Sequence, residues 1–427
     1  MEWAKHCYRV GPHLDSREDL PVDPDELAAF ITEARKHIEP WLSAVFQAEH
    51  LNLLIGSGFT AAIASLADAP ALGMSTVKFG TDYDSAIDAH ATKAAKEMNR
   101  GAANVEDQLR SALAVFEGLL VIDPAKSSIV KDAIDAQMTK FLALLLDTER
   151  GISNGKDQEK RELAESVLQS FLLSFASRVA SRERLHLFTT NYDRLIEHGC
   201  DLAGLRIIDR FVGALSPVFR ASRVEVDVHY NPPGIRGEPR FMEGVLKLTK
   251  LHGSVDWLFD KSEKRIYRIG IPFGAPADHT DVPRKPVDTV MIYPNPAKDV
   301  ETTQYPYAEL FRDFAAAVCR PNAAIVTYGY GFGDDHVNRV LLDMLTIPST
   351  HLVAIVFSAD ERLKKFMAKT REAQVSLMVG PHFADLATVV ENYLPKPALD
   401  TITGRMTELM KHRLPHGVGT TDTGGGA

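Results

Sequence analysis

Two apolar runs that stop abruptly at polar residues constrain this chain most. Leu185–Asp193 reads LHLFTTNYD and Leu246–Trp257 reads LKLTKLHGSVDW. Each starts as a short strand and ends at residues suited to chemistry: Thr189, Thr190, Asn191 and Asp193 in one, His252, Gly253 and Ser254 in the other. Polar side chains buried without partners cost stability, so such a cluster calls for a ligand. Open α/β sheets hold their ligands at the C-terminal ends of strands.

Three more short apolar runs, Leu51–Ile55, Ala323–Thr327 and His351–Phe357, alternate with helical patterns. The spacing predicts helices opening at Pro24, over Ala61–Ala67, Arg194–Ala203, Tyr307–Val318, Val337–Leu345 and Phe383–Tyr393. Strands alternating with helices imply an α/β fold with a doubly wound, parallel, Rossmann-like sheet. From Asp82 to Arg184 the period is helical throughout. Val105, Leu109, Leu113, Phe116 and Leu120 share one face, and Leu163, Val167, Phe171 and Phe175 another. That block reads as a helical insertion beside the sheet, with a polar loop at Gly151–Gln158. The expected division is therefore an N-terminal arm and helix over 1–44, the sheet domain over 45–81 and 185–395, the helical insertion over 82–184, and a tail over 396–427 with a disordered end. Within the sheet domain, Val224–Tyr230 alternates like a half-buried strand, Asn231–Glu238 reads as a turn, and Lys264–Ile269 and Thr289–Ile292 as further strands.

With 427 residues, 45% of them hydrophobic, the chain can bury a large core. A net charge of -9 argues against a whole-surface grip on nucleic acid. No apolar run is long enough to span a bilayer, and the charged N-terminus lacks the apolar core of a signal peptide, so the expectation is a cytoplasmic protein without a membrane partner. Cys7, Cys200 and Cys319 lie far apart and cannot make a four-cysteine zinc site. They read as small buried residues.

Gly56-Ser57-Gly58-Phe59-Thr60 occupies a strand-to-helix turn, where backbone N–H groups and a helix N-terminus can receive a phosphate, or where a tight turn needs glycine and no ligand at all. Ala61 takes the place of the third glycine in G-x-G-x-x-G, which disfavours a hydride-transferring dehydrogenase. Thr190 and Asn191 can satisfy ribose hydroxyls and Asp193 can accept from an amide; the other reading is that Asn191 or Asp193 caps the following helix. His252 is a candidate general base, or a structural histidine. The third strand-end motif, Gly329-Tyr330-Gly331-Phe332-Gly333-Asp334-Asp335-His336-Val337-Asn338, offers a close-approach loop and an acidic first helical turn. His336 has no evident co-ligand, so no metal site is expected.

In this order, GSGFT, TTNYD, KLHGSVDW and GYGFGDDHVN resemble the sirtuin-like family, and most closely its bacterial branch of NAD-cleaving anti-phage defence proteins. The resemblance runs from Leu51 to Leu394, with the helical insert as the variable part. It implies that Gly56, Ser57 and Gly58 receive the phosphates, with Thr60 among the other NAD contacts. It also implies that Asn191 contacts the ribose, that Asp193 belongs to the nicotinamide pocket, and that His252 is catalytic. Thr190, Gly253, Ser254, Gly329, Tyr330, Gly331 and Asn338 complete the expected NAD contacts. Deacylating sirtuins resemble TQNID where this chain has TTNYD, and carry a four-cysteine zinc module and a lid with an arginine-containing tail that are absent here.

The resemblance thus implies an NAD hydrolase that releases nicotinamide and ADP-ribose, with Asn191 and His252 as catalytic residues and NAD as a substrate without a metal. It further implies a homo-oligomer and a partner protein such as a HerA-type ATPase or a short Argonaute. The alternatives are a partner-regulated module that binds NAD or ADP-ribose, and an NAD-dependent deacylase.

Overall fold

The computed structural model describes residues 3–71, 76–97, 102–220, 227–230, 240–260, 262–284, 286, 290–292 and 306–396. The expected turn at Asn231–Glu238, the first residues of the expected strands at Val224 and Thr289, and the tail beyond 396 lie outside them.

The five apolar runs form the middle of one sheet because they are buried on both faces: β3 (His50–Ile55), β4 (His186–Thr189), β10 (Val245–Lys250), β14 (Ala323–Tyr328) and β15 (His351–Val356). Three strands join them: β5 (Arg206–Ile208), β16 (Val375–Val379) and β1 (His6–Val10). With β2 (His13–Arg17) the sheet has, among the described residues, nine strands in the order β2-β1-β16-β15-β14-β3-β4-β10-β5. Neighbours from β16 to β5 run parallel, and the β1–β2 hairpin is antiparallel to β16. The charged segment read as an arm is thus the sheet's edge, anchored by buried Cys7, Tyr8 and Val10.

Alternate strand residues face opposite layers. Leu53, Leu187, Val326 and Ile355 pack with α1 (Pro24–Phe46), α2 (Ser57–Leu66), α6 (Gln158–Ala176) and α7 (Leu195–Ala203). Leu54, Phe188, Ile325 and Ala354 pack with α8 (Tyr307–Val318), α9 (Asp335–Met344) and α10 (Glu361–Met367). The expected helix at Phe383–Tyr393 is broken into short turns, Pro381–Ala384 and Leu386–Thr388, followed by a wide turn over Val389–Tyr393.

The helical block holds α3 (Asp84–Glu97), α4 (Val105–Ile122), α5 (Pro124–Asn154) and α6. α5 runs to Asn154, so the polar loop is shorter than Gly151–Gln158. Leu120 and Leu163 are half exposed and stand off the buried faces assigned to them. α3 to α5 share a core that reaches Tyr192 and Val255, whereas α6 lies against the sheet. A second, antiparallel sheet is built around β11 (Gly253–Asp260) and β12 (Arg265–Arg268), with β6 (Phe211–Val212), β7 (Val218–Phe219) and β13 (Val290–Ile292); β8 (His229–Tyr230) and β9 (Arg240–Phe241) pair with each other. Among the described residues no helix is long and apolar enough to cross a membrane.

One largely enclosed histidine, His351, is expected to make the fold sensitive to acid. His351 Nε2 lies 2.9 Å from Ser376 Oγ, which also receives Trp41 Nε1 at 2.8 Å. Burial, with Arg9 adding to it, lowers the His351 pKa from 6.5 to about 4. Between those values the unfolded chain binds a proton that the folded chain does not, so stability is full above pH 6.5 and lost as the pH falls towards about 4. The loss reaches about 3 kcal/mol. Urea unfolding at neutral pH and near about pH 4.5 should show this fall, and His351→Gln should flatten it. An unchanged acid slope in the variant would rule out His351 as the cause.

Candidate functional site

The chain leaves β3 for β4 and β10 on one side and reaches β14, β15 and β16 on the other, so strand order reverses between β3 and β14. Such a reversal opens a crevice at the carboxyl ends of the strands. Register then fixes what meets there. Ile55 pairs with both Tyr328 and Thr189, and Thr189 with Lys250. Gly56, Gly329, Thr190 and Leu251 therefore emerge at one level, and a cavity of about 350 Å³ is lined by Gly56, Gly329, Thr190 and the residue after Leu251, His252.

The two glycine turns interlock. Gly56 N–H donates to the Tyr328 carbonyl and Gly58 N–H to the Gly329 carbonyl, both at 3.0 Å. A Cβ on Gly56 would lie 2.5 Å from Gly329 O, and one on Gly58 2.7 Å from Gly329 Cα. Glycine here is required by the meeting of two backbones. Gly56 also precedes the first turn of α2, whose N-terminus points positive charge towards the cavity.

The TTNYD segment is a closed relay. Thr189 Oγ1 donates to the Ile55 carbonyl at 3.0 Å and accepts from Asn191 N–H at 3.0 Å. Asn191 Nδ2 donates to the Gly56 carbonyl at 3.1 Å and to Thr60 Oγ1 at 3.0 Å; Thr60 in turn donates to Asp193 Oδ2 at 2.7 Å. A carbonyl can only accept, so the Asn191 amide nitrogen must face Gly56, and its oxygen is the atom outside this relay. Asp193 Oδ1 accepts from Leu195 N–H at 3.1 Å, so Asp193 anchors the start of α7 while lining the cavity. The capping bond leaves lone pairs on both carboxylate oxygens, so it does not exclude a ligand contact at Asp193.

His252 follows β10, is buried, and lines the same cavity. Its Nε2 lies 3.6 Å from Asp334 Oδ2, and its ring centre 6.2 Å from that of Tyr192. Asn191 and His252 thus reach one space from the ends of neighbouring strands. Gly56, Ser57, Gly58, Thr60, Thr190, Asp193, Gly329, Tyr330 and Gly331 share its wall. Gly253, Ser254 and Asn338 do not line the cavity. Gly253 adopts φ +83° where the chain turns into β11, and Ser254 Oγ donates to the Tyr192 carbonyl at 3.3 Å. Asn338 accepts from Tyr330 OH at 2.9 Å and donates to the Phe332 carbonyl at 2.9 Å, tying the glycine loop to α9. These three support the wall from behind, because β10 turns directly into a strand at Gly253 and α9 points Asn338 back at its own loop.

Several wall residues carried no sequence signal. The insert contributes Asn104 and Glu106 from the start of α4 and Leu145 and Thr148 from α5. Tyr192 OH donates to Glu106 Oε1 at 3.2 Å. Among the described residues that line the cavity, Arg362 supplies the one guanidinium, beside Gly331 and bonded to Asp360 at 2.8 Å. Behind the wall, buried Lys250 donates to the Asp193 carbonyl and to Glu197 Oε1, the latter at 3.0 Å. Buried Arg194 pairs with buried Glu149 of α5, which also accepts the Arg194 backbone N–H at 2.8 Å. Burial pushes the Glu149 carboxyl up, opposed chiefly by Arg194.

A larger cavity of about 640 Å³ sits at the opposite ends of the strands, around His50, His186, Arg210 and Arg320. There Arg320 and His50 pair with Glu183, Arg210 with Asp313 and Arg184 with Asp227. The smaller cavity holds the convergent strand ends and is the candidate site.

No curated protein matches the chain. The glycine turn Gly56–Gly58 lies outside the stretch that a family model covers. A family model described as a SIR2-like domain matches residues 185–377, from β4 to β16, which supports a sirtuin-like family and NAD-related chemistry.

Proposed function

We propose that the protein is an NAD hydrolase that breaks the bond between nicotinamide and ribose. The observation that carries this reading is the convergence of Asn191 and His252, from the ends of adjacent parallel strands, on one cavity at the strand-order reversal. NAD would lie across the strand ends with its pyrophosphate near the N-terminus of α2 and Arg362. The nicotinamide nitrogen leaves with the bonding electron pair, and an oxocarbenium-like ribosyl cation remains. Asn191 Oδ1 accepts from a ribose hydroxyl or from the attacking water. His252 takes the proton that the water releases, so NAD and water give nicotinamide, ADP-ribose and one proton. Asp193 holds the carboxamide edge.

Nicotinamide and ADP-ribose should appear when the purified protein is mixed with NAD. Asn191→Ala and His252→Ala should each slow release by at least ~100-fold. Full activity in either variant would remove its assigned role. A stable, folded protein that binds ADP-ribose tightly yet releases no nicotinamide would instead favour a module switched on by a partner. An acyl-peptide assay with NAD tests deacylation.

Depletion of NAD in anti-phage defence, in a cytoplasmic homo-oligomer joined to a HerA-type ATPase or a short Argonaute, is the biological setting of the same proposal. The corner between α4 and α5 exposes Leu120, Val121, Ile122 and Ile129, apolar surface that a second subunit or partner would cover. A native mass measurement gives the subunit count.

A further inference from the structure

His336 stands 84 residues beyond His252 in the sequence, yet the fold brings both to Asp334. One nitrogen of each imidazole and one Asp334 oxygen all lie within 4.8 Å of one another. The His252–Asp334 edge is already 3.6 Å, and the two rings are centred 6.0 Å apart. Phe311 packs edge-on against His336 at 4.6 Å and fixes its ring in the first turn of α9. Both histidines are buried, and Asp334 is half buried with His252 on the cavity wall.

We propose that His252, Asp334 and His336 form a binding site for a divalent transition metal of the zinc class. Two imidazole nitrogens and one carboxylate oxygen suit Zn²⁺ or Co²⁺, whereas Mg²⁺ and Ca²⁺ want oxygen throughout. Bonds of about 2.0–2.1 Å set the ligand atoms of a tetrahedral zinc about 3.3 Å apart, so edges of up to 4.8 Å close by up to ~1.5 Å through side-chain rotation. Three protein ligands leave a fourth position, and it faces the cavity because His252 and Asp334 do. Its consequence rests on the hydrolase reading: a metal on His252 Nε2 occupies the lone pair that would take the proton from water. Bound metal therefore silences NAD cleavage, and the metal-free protein is the active form.

The test uses the full chain stripped of metal with a chelator and titrated with Co²⁺ alone, a coloured stand-in for zinc. One equivalent should bind with the visible absorption of a low-coordinate ion, and Zn²⁺ should displace it. Asp334→Asn and His336→Ala should each weaken binding by at least ~10-fold while circular dichroism stays that of the parent. His90→Ala, remote from the cluster, controls for adventitious imidazole binding and should change nothing. No stoichiometric Co²⁺ in the parent, or binding as tight as the parent's in both cluster variants, overturns the site. Nicotinamide release is measured separately with chelator and with Zn²⁺: zinc should stop the parent and spare His336→Ala. Stoichiometric metal binding with no cleavage under chelator would keep the site and sink the hydrolase; cleavage indifferent to zinc would sink the silencing.

Discussion

Glu149→Ala should destabilise the protein by about 3–5 kcal/mol and lower its thermal midpoint by about 3–6 °C, as read by circular dichroism or calorimetry. Glu149 and Arg194 are both buried, and the Arg194 guanidinium also donates to the carbonyls of Ile271 and Pro272. Removing the carboxylate leaves a cation without its counter-charge in a place that water does not reach, and that penalty dominates. The damage extends to the site. Glu149 Oε1 holds the Arg194 backbone N–H, one residue past Asp193, so its loss frees the loop that carries Asn191 and Asp193. Nicotinamide release should fall even at temperatures where the variant remains folded. Replacing both partners by methionine should recover most of the stability, since two apolar groups of similar volume avoid the desolvation cost. Recovery of stability without recovery of release would separate the loop-holding role from the charge. A single variant as stable as the parent would show that Arg194 finds another acceptor.

That ion pair also marks where the sequence stopped being informative. β3, β4, β10, β14 and β15 were legible because each is a short apolar run buried on both faces, a pattern that local composition carries. β16 was missed: Ser376 interrupts VSLMV, and its burial depends on Trp41 and His351 from elsewhere in the chain. β1 was missed for a related reason, since HCYRV buries Cys7, Tyr8 and Val10 only once β16 is beside it. Helical period identified α3 to α6 but not which face meets what. Nothing in the spacing of Glu106, Thr148 or Glu149 says that they reach the strand ends. The polar ends of β4, β10 and β14 were read as a ligand site from their chemistry, and parallel register brings them to one cavity. Ser254 and Asn338 were assigned to ligand from motif membership, yet their hydrogen bonds run to Tyr192, Tyr330 and Phe332. A motif names residues that act together; it does not say which of them face inward.

The GYGFG loop allows that distinction to be measured, because two of its glycines should answer differently to one methyl group. Gly329 has φ +63°, and a Cβ there would lie 2.5 Å from Phe59 N and 2.7 Å from Gly58 C, both backbone atoms. Left-handed backbone costs alanine about 1–2 kcal/mol, and overpacking against atoms that cannot rotate away adds about 1–3 kcal/mol. Gly329→Ala should therefore lose about 2–5 kcal/mol and part the β14 loop from the β3–α2 turn, breaking the Gly58-to-Gly329 hydrogen bond. Gly331 differs. Among the described residues a Cβ there meets the Arg362 guanidinium alone, at 3.7 Å and 3.9 Å, which is ordinary contact with the end of a long side chain. Gly331→Ala should keep the parent's melting temperature within a degree or so, since a surface methyl seldom shifts stability beyond about 0.5 kcal/mol. Phe332, directly after Gly331, is held at φ +51°, unusual for a bulky residue, so this part of the loop is over-determined by its surroundings. If Gly331→Ala keeps stability but weakens NAD binding, that glycine serves ligand approach while Gly329 serves the meeting of two turns. Equal tolerance at both positions would mean that the turns can part without cost, and the interlock that shapes the cavity floor would be lost as an explanation for either glycine.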